Sequence, residues 1–586
     1  MSAEHTNLLS TAADSHYPVP LVVGITGHRD LLSSELPLLH KKVREFFEGL
    51  RKQFPALPLQ LISPLAEGAD RLVAQEARAL RIPLIVPLPM PRQIYIEDFA
   101  NAESIAEFDD LCKDAEILEL PLRSDVTAEM LRTSQEVRDQ RYAELGVFVC
   151  AHSHILLAIW DGKAGEKLGG TAHVVKFHQT DIMPGLTAES EKPRLILVDD
   201  DSDLVYHIAC SRDRADGSPA HPLLAGESCW RTSDDQSPRS ADLPKRYKNI
   251  FDRTSEFNID ARKFHGRIEA EKYSLSEDDS PERNERSPKT LESAFVIADW
   301  LAIHYQQRFF RMLRVTHILA VLMGLAYILY SELFGNIYSL AAFLGLFILG
   351  VILFKLAENG AWQRKYLEYR ALAEGLRVQF YWTAASVRSG DGTGFTHDRF
   401  LQKQDVELGW IRNVMRVAGR HIEIDPRPDE DRGLRWVIRE WIGNVNELGQ
   451  LRYYRKNAAK RERLNRITGF IGKACLLSGI AVAIFLVTYD ERPTAGFGLL
   501  LNIMMGLLPL IAAVRIAYAH KKADKELIKQ YQFMARIFAN ARKRIDATDD
   551  KHEQREILRA LGDKALDEHA DWILIHRERS IEISGL

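Results

Sequence analysis

The 586-residue chain has few of the features that would assign it quickly to a class. Its five cysteines follow neither a disulfide nor a metal-binding spacing, which favours a reducing compartment. Acidic and basic residues nearly cancel to a net charge of -4, so no overall positive field would attract nucleic acid. The N-terminus has no basic stretch followed by an apolar one, so residues 1–17 are interpreted as a flexible tail and not as a signal peptide.

The second half contains four long apolar runs, at residues 315–334, 337–356, 467–489 and 495–514. Each is close to the roughly 20 residues with which a helix crosses about 30 Å of hydrocarbon. Pro509 lies inside the last run and predicts a kink. The alternative is four buried helices of a large soluble bundle. Paired runs of this length are unusual in soluble domains, so the pattern predicts a multi-pass membrane protein.

Basic residues flank these runs unevenly. Arginines precede the first and third runs, and basic residues follow the second and fourth, whereas the loop between the first two has neither Lys nor Arg. Because Lys and Arg collect on the cytoplasmic side, we expect both termini in the cytoplasm and both short loops outside the inner (cytoplasmic) membrane. The runs contain few ionisable groups, and Lys473 lies near an end, so a transporter with a central proton relay is disfavoured.

The first part of the chain alternates short apolar segments with amphipathic ones. This alternation predicts a doubly wound, Rossmann-like α/β domain with a parallel sheet over residues 18–210. Residues 211–290 are rich in Ser, Asp, Arg and Pro and are interpreted as a polar linker or insertion with partial disorder. The predicted strands are "PLVVGITG", "LQLISPL", "IPLIVPL", "HILLAIW" and "PRLILVD".

From residue 291 the pattern is helical and repeats. Each repeat has a helix, two spans and a trailing helix, and the trailing helices "QRKYLEYRALAEGLRVQFYW" and "KELIKQYQFMARIFANARKRI" look alike. We therefore expect a duplicated two-span module over 291–400 and 401–545, followed by a C-terminal helical segment over 546–586. Four spans are too few to enclose a wide pore, so a homo-oligomer is expected.

Three glycine-containing segments follow predicted strands, where open α/β sheets bind their ligands. In "GITGHRDL" a glycine lets backbone approach a phosphate and an arginine binds it; "SPLAEGADRL" and "GGTAHV" each open a helix whose free N–H groups favour an anion. Trp160 offers a stacking face, and Asp161 is a turn former or a ribose hydroxyl acceptor. The alternative is three ordinary tight turns. The predicted ligand-binding residues are Gly24, Thr26, Gly27, His28, Arg29, Ser63, Glu67, Gly68, Ala69, Asp70, Arg141, Trp160, Asp161, Gly162, Gly169, Gly170 and Thr171.

These segments resemble the SLOG superfamily of Rossmann-like nucleotide-sensing domains. It includes the LOG-type phosphoribohydrolases, the DNA-processing-protein-A fold and the N-terminal domains of melastatin-type TRP channels. The two-span units resemble the SLATT type, which is associated with such sensors in bacterial conflict systems. The resemblance covers most of the chain. It implies a nucleotide-derived ligand, an ion channel or membrane-disrupting effector, and a role in antiviral defence against phage.

The resemblance also suggests a possible enzymatic activity, because the LOG-type members of the superfamily are phosphoribohydrolases. LOG-type enzymes carry an arginine-lysine pair and then a Gly-Gly-x-Gly-Thr-x-x-Glu turn. Arg141 matches the arginine, but Tyr142 replaces the lysine and Val174 stands where the glutamate is expected. Because valine cannot exchange a proton, the resemblance implies ligand binding better than catalysis. No catalytic residue, metal or resident cofactor is predicted.

The leading interpretation is a ligand-gated membrane effector. Its cytoplasmic α/β domain senses a nucleotide-derived signal and controls a pore or a membrane-disrupting four-span domain. Two alternatives stay open: a membrane-tethered nucleotide phosphoribohydrolase or glycohydrolase, and a membrane scaffold whose α/β domain binds a protein partner. The expected partners are the lipid bilayer, a nucleotide-like small molecule and further copies of the chain, but no nucleic acid.

Overall fold

The first half of the chain forms one sheet in the order β4-β3-β2-β1-β5-β6-β7-β8. Strands β1 to β6 pair in parallel, and β7 and β8 add antiparallel strands at one edge. The strands are β1 (Leu21–Gly27), β2 (Leu59–Ile62), β3 (Leu84–Leu88), β4 (Glu116–Glu119), β5 (Ile155–Trp160), β6 (Val205–Ala209), β7 (Ser228–Arg231) and β8 (Arg239–Ser240).

The computed structural model describes residues 19–123, 126–165, 167–183, 185–186, 203–233, 239–271, 275, 289–332, 335–387, 400, 406–420, 430–443, 449–488 and 495–578.

The predicted α/β fold is confirmed. Successive strands extend the sheet on one side of β1 as far as β4, and the chain then returns to place β5 on the other side, which makes β1/β5 the switch point. All but the last residue of β1 are buried, because helices cover both faces of the sheet. The covering helices are α1 (Leu36–Gln53), α2 (Ala69–Ala79), α3 (Arg92–Tyr95), α4 (Ala102–Cys112), α5 (Ala128–Thr133), α6 (Gln135–Ala151) and α7 (Thr171–Thr180).

Four strands, β4, β6, β7 and β8, were not predicted, and one predicted strand lies outside the described residues. The segment "PRLILVD" belongs to the undescribed part of the chain, and the strand that pairs with β5 is β6, which begins at Val205. The edge strand β4 alternates half-buried and exposed residues, and two of its four residues are glutamate. Such a polar, short edge strand gives little apolar signal in a sequence.

The segment 211–290, interpreted as a polar linker or insertion, contributes regular secondary structure. It contains β7, β8 and the 26-residue helix α8 (Lys245–Ala270). Polar residues dilute the apolar pattern of α8, but Ile250, Phe251, Phe257 and Phe264 are all buried. The interpretation of this segment as a linker or insertion rested on average composition, which does not detect a helix whose apolar residues recur at helical spacing.

The second half is helical, as predicted. Its helices are α9 (Lys289–Glu332), α10 (Ile337–Asn359), α11 (Trp362–Ala384), α12 (Gly409–Gly419), α13 (Glu430–Val437), α14 (Gln450–Thr488), α15 (Ala495–Lys521), α16 (Asp524–Ile545) and α17 (Lys551–Glu578). Four of them, which contain the described residues of the four apolar runs, are long and apolar enough to cross a membrane. The helix α15 continues through Pro509.

Much of the surface of these four helices is apolar and uncovered. The most apolar stretch of the span that begins at Ile337 has no buried residue, and Phe470 and Val487 of α14 are 74% and 86% exposed. A surface of this kind is typical of contact with lipid or with another protein and is unusual for a monomer in water. The fold therefore supports a multi-pass membrane protein more than a soluble bundle.

The two predicted modules share an unusual connection between helices. Ala361, between α10 and α11, has φ 47° and ψ 37°, and Ala523, between α15 and α16, has φ 50° and ψ 38°. Alanine rarely adopts this left-handed conformation, because its Cβ approaches the following carbonyl. The modules meet where Gly324 of α9 faces Leu510 and Gly506 of α15 faces Ile328. The matching turns are what duplication of one module would produce.

The helical part docks on the amino ends of the strands. Asn258 of α8 exchanges two hydrogen bonds of 2.9 Å with the backbone of Val19, just before β1. From the buried helix α12, the Nη1 atom of Arg416 donates to the Ser153 carbonyl at 2.8 Å, just before β5. The carboxyl ends of the same strands, where ligands are expected, lie at the opposite edge of the sheet.

Candidate functional site

The carboxyl ends of β1 and β5 meet through a histidine and a carboxylate. His28 Nε2 lies 3.1 Å from Asp161 Oδ1, and both side chains are largely buried. Burial lowers the pKa of His28, although Asp161 acts in the opposite direction. The Asp161 Oδ1 atom also accepts a hydrogen bond of 3.0 Å from the Lys163 amide. Two predicted site residues are therefore brought together at the switch point, where they fix the turns that follow the two strands.

A loop from the predicted linker covers the end of β5. Trp160 is buried, its Nε1 donates to the Lys163 carbonyl at 3.0 Å, and the Arg231 guanidinium lies over its ring. A Cβ added to Gly162, which has φ 79°, would lie 2.8 Å from Leu223. The predicted stacking face of Trp160 is thus occupied by the protein's own side chains, because the residues that cover it come from a segment assigned to a linker.

The first and second glycine segments contact each other directly. Gly68 has φ 83°, and an added Cβ would lie 2.4 Å from the Arg29 carbonyl oxygen. The Ala69 amide, at the start of α2, donates to the His28 carbonyl at 3.1 Å. Gly27 similarly leaves room for Ala69. These glycines let one backbone segment approach another, so part of the predicted anion cradle is filled by the chain itself.

Arg29 is the predicted residue that extends most clearly into solvent. It is exposed, and its Cζ atom lies 5.5 Å from the centre of the Tyr142 ring on α6. The Tyr142 hydroxyl donates to Asp98 at 2.5 Å, and Arg138 also pairs with Asp98 at 2.5 Å. A guanidinium that belongs to an exposed residue and is positioned by an aromatic ring can bind an anionic group by two parallel hydrogen bonds.

A buried carboxyl lies next to this arginine. Asp70, the second residue of α2, is 5% exposed, and burial raises its pKa to about 7, while the charge of Arg29 opposes the shift. Its carboxylate accepts a hydrogen bond from the Ala66 amide. The group therefore changes charge near neutral pH, which is unusual for an aspartate and typical of functional sites.

Other predicted residues have structural partners. Ser63 is buried, and its hydroxyl accepts a hydrogen bond from the Leu65 amide at 3.2 Å. Glu67 accepts hydrogen bonds from the Ser104 hydroxyl and the Ala100 amide. Arg141 is buried and donates to the carbonyls of Pro89, Leu120 and Pro121. These contacts hold the loops that surround the carboxyl edge, and they occupy the donors of Arg141.

The remaining predicted residues lie in β1 and at the start of α7, and they have different roles. Gly24 lies within β1, and an added Cβ would lie 2.1 Å from the Ser153 hydroxyl oxygen, so this position serves packing; Thr26 is also buried. Gly169 has φ 72° and packs against the backbone of Tyr142. Gly170 is the N-cap of α7, without a side-chain cap, and Thr171 is the first residue of that helix.

The site that emerges consists of Arg29, Asp70, Tyr142 and the start of α7. Three of these features were predicted from the sequence. The role of Tyr142 was not, because this residue was considered only as a replacement for lysine. The available signal was the spacing of Tyr142 on α6, which brings its ring to the end of β1. Tyr142 touches Arg29 on one side and Gly169 on the other, so it joins the first and third segments.

Comparison with known proteins identifies no family. No protein-family model matches the chain. No curated protein matches it either. The class is therefore defined by the structure: an α/β domain with a mostly parallel sheet, joined to a helical region with four helices long and apolar enough to span a membrane.

Proposed function

We propose that the chain is a ligand-gated membrane effector whose α/β domain binds a nucleotide-derived anion. The observation that carries this proposal is the position of Arg29. Arg29 is an exposed residue at the strand switch point, and its guanidinium lies over the ring of Tyr142, whose backbone packs against Gly169 just before the uncapped start of α7. Backbone N–H groups at a helix start and a guanidinium are the groups that bind phosphates in proteins. The resemblance to nucleotide-sensing SLOG domains agrees with this chemistry.

The second part of the proposal concerns the response. A ligand changes the membrane helices only if it binds one arrangement of the protein more tightly than the other. The amino edge of the sheet is held by α8 and α12, and α8 is bound in turn to α11, where the Lys365 amine lies 2.7 Å from Asp260. A shift of the strands would therefore reach the helix that follows the first pair of spans.

The proposed placement puts both termini and the α/β domain in the cytoplasm, with the four spans in the inner membrane. The distribution of Lys and Arg around the apolar runs supports this orientation. The uncovered apolar surface of α10 and α14 leaves room for further copies of the chain, so the effector is proposed to act as a homo-oligomer. A role in antiviral defence rests on the resemblance alone.

The experiment uses the full-length protein in dye-loaded liposomes. ADP-ribose, cyclic AMP and ATP are added separately, and dye release is followed with time. We expect at least one of them to trigger release from wild-type liposomes, and Arg29→Gln to abolish the response. The matched control is Lys52→Gln, which removes one positive charge from the end of α1, at the opposite edge of the same domain. Equal release by both variants would contradict the proposal.

A second candidate, a membrane-tethered nucleotide hydrolase, is favoured by Asp70. A carboxyl with a pKa of about 7 next to an arginine can donate a proton to a leaving group at neutral pH. Against it, Val174 is buried next to Gly146, at the position where LOG-type enzymes are expected to carry their glutamate. Free base released from nucleoside monophosphates by the full-length protein, and lost in Asp70→Asn, would support the hydrolase.

A further inference from the structure

The part of α14 that leads into its apolar run is strongly basic. The run begins at residue 467, and residues 452–466 directly before it contain seven basic residues but only one acidic residue, Glu462. The seven basic residues are Arg452, Arg455, Lys456, Lys460, Arg461, Arg463 and Arg466. Like charges four residues apart destabilise a helix. The partners of these residues therefore decide whether the positive charge is balanced within the protein.

Three of the seven have partners inside the protein. Arg466 Nη2 lies 3.0 Å from Glu462 Oε1. Arg461 Nη1 lies 3.9 Å from Asp524 Oδ1 of α16, and Arg452 also has a partner. The other four, which we call the basic row, are exposed and pair with no described acidic residue: Arg455, Lys456, Lys460 and Arg463. The charge of the basic row is thus left unbalanced by the described part of the chain.

The basic row lies on the same side of α14 as large apolar residues of the span. With 3.6 residues per turn, its four members fall within an arc of about 140° around the helix axis. By the same spacing, Phe470 and Leu477, which are 74% and 65% exposed, lie within that arc. The exposed basic surface therefore continues directly into the apolar surface that would face lipid.

The corresponding helix of the first predicted module is covered. Before its apolar run begins at residue 315, α9 places Tyr305, Phe309 and Met312 in the hydrophobic core. In the comparable part of α14, Leu451 and Ala458 are the buried residues. The exposed basic surface is therefore particular to the second module, and duplication of a common unit does not account for it.

We infer that the basic row is a binding surface for the head groups of anionic phospholipids. The inference rests on the proposed placement of α14 in the membrane, with its amino end in the cytoplasm. Clusters of Lys and Arg directly beside a span attract anionic lipids of the cytoplasmic leaflet. The row lies on the outer surface of one helix, which suits a charged surface better than a small molecule that needs a concave site. Its continuity with the apolar side of the span favours lipid over nucleic acid.

Distance from the span ranks the four residues. At 1.5 Å per residue, Arg463 and Lys460 lie roughly 6 and 10 Å from the start of the apolar run along the helix. Lys456 and Arg455 lie roughly 16 and 18 Å from it. The polar layer of each leaflet is about 5–8 Å thick, and the attraction falls off over a further 8–10 Å at physiological salt. The pair nearer the span should therefore contribute most to lipid binding.

The test uses the full-length protein in phosphatidylcholine vesicles without nucleotide, so that it does not depend on gating by a ligand. Spin-labelled phosphatidylserine or phosphatidylcholine is added in trace amounts, and electron paramagnetic resonance measures the fraction of each that the protein immobilises. We expect the wild type to prefer phosphatidylserine and Lys460→Gln/Arg463→Gln to lower this preference by at least about twofold. Each basic group adds about fivefold at its own site, but the measurement averages over all lipids around the spans.

Two further variants complete the series. Arg455→Gln/Lys456→Gln should cause a smaller loss of preference, because these residues lie farther from the span. The matched control is Lys543→Gln/Arg544→Gln, which makes the same charge change at exposed positions near the end of α16. That helix begins after the fourth span and is roughly 33 Å long, and the control should keep the preference of the wild type.

Four results would overturn the inference. The first is equal immobilisation of the two lipids by the wild type, and the second is an unchanged preference in Lys460→Gln/Arg463→Gln, which would leave these charges only a role in orienting the span. The third is an equal loss in the α16 control. The fourth is binding of a DNA fragment that requires Lys460 and Arg463 while lipid preference does not.

One measurement needs no variant. Raising the salt to about 1 M shortens the screening length to about 3 Å and should abolish the preference of the wild type for phosphatidylserine. A preference that persists at this salt would also contradict the inference. Thermal unfolding and protease accessibility in sealed vesicles check the fold and orientation of each variant. Lack of dye release with nucleotides would leave these results unchanged, so the two proposals fail separately.

Discussion

Arg416 and Ser153 join the α/β domain to the helical region through one buried hydrogen bond of 2.8 Å. The ring of His154 reinforces the same boundary, since its Nε2 lies 3.3 Å from the Asn413 carbonyl oxygen. Burial and the charges of nearby arginines lower the pKa of His154 to about 3, so this ring stays neutral at physiological pH. Separation of the two parts would leave these polar groups without their partners, which is costly inside a protein.

The first prediction concerns transmission across this boundary. In Arg416→Met the side chain keeps an unbranched apolar stem but cannot donate to Ser153, at a cost of about 1–3 kcal/mol. We expect dye release in response to ligand to fall while ligand binding to the α/β domain is retained. The control is Arg412→Met on the same buried helix, because Arg412 donates to Phe400, within the helical region. Loss of release in the control alone would contradict the prediction.

The second prediction follows from Asp70. Its pKa of about 7 is raised above the usual value of 3.8, so the folded protein keeps a proton that the unfolded chain loses near pH 4. The resulting stabilisation is complete below about pH 4 and is lost as pH rises through 7. It amounts to at most about 4 kcal/mol. Thermal unfolding from pH 5 to 8 should show a decline in the wild type that is weaker in Asp70→Asn; parallel profiles would argue against the raised pKa.

The third prediction separates two glycines. Gly68→Ala places a Cβ 2.4 Å from the Arg29 carbonyl in a backbone conformation that alanine avoids, so we expect a loss of at least about 1–3 kcal/mol. Gly49→Ala, within α1, has nothing within 4 Å of the added Cβ and should instead stabilise the helix by about 0.5–1 kcal/mol. Thermal midpoints that move in the same direction would show that the turn at Gly68 is not constrained in this way.

The fourth prediction concerns the matching turns of the modules. Ala361→Gly and Ala523→Gly relieve a left-handed alanine, so each should raise stability by roughly 1 kcal/mol. In contrast, Ala560→Gly, at an exposed position within α17, should lower it by a similar amount. Unfolding in detergent by circular dichroism measures all three variants. A loss of stability in both turn variants would show that the two alanines are not under strain.

The sequence predicted the elements that have strong apolar signals. Strand β1 and the four apolar helices follow from uninterrupted runs that leave little choice of structure. The strands β4, β7 and β8 and the helix α8 were missed, because charged and polar residues surround their buried positions. Strand β6 was missed as well, although four of its five residues are buried. At the site, the glycines were recognised, but their structural role was not. A glycine that makes room for a ligand and a glycine that makes room for the Arg29 carbonyl cannot be distinguished from the sequence. Only the fold distinguishes them.

The position of the docking contacts has one further consequence. Because the helical region holds the amino ends of the strands, the edge that carries Arg29 points away from it. Contacts between the apolar helices of neighbouring chains in a bilayer would then leave that edge uncovered. In the proposed homo-oligomer, a nucleotide-derived ligand would therefore still reach Arg29 from solution.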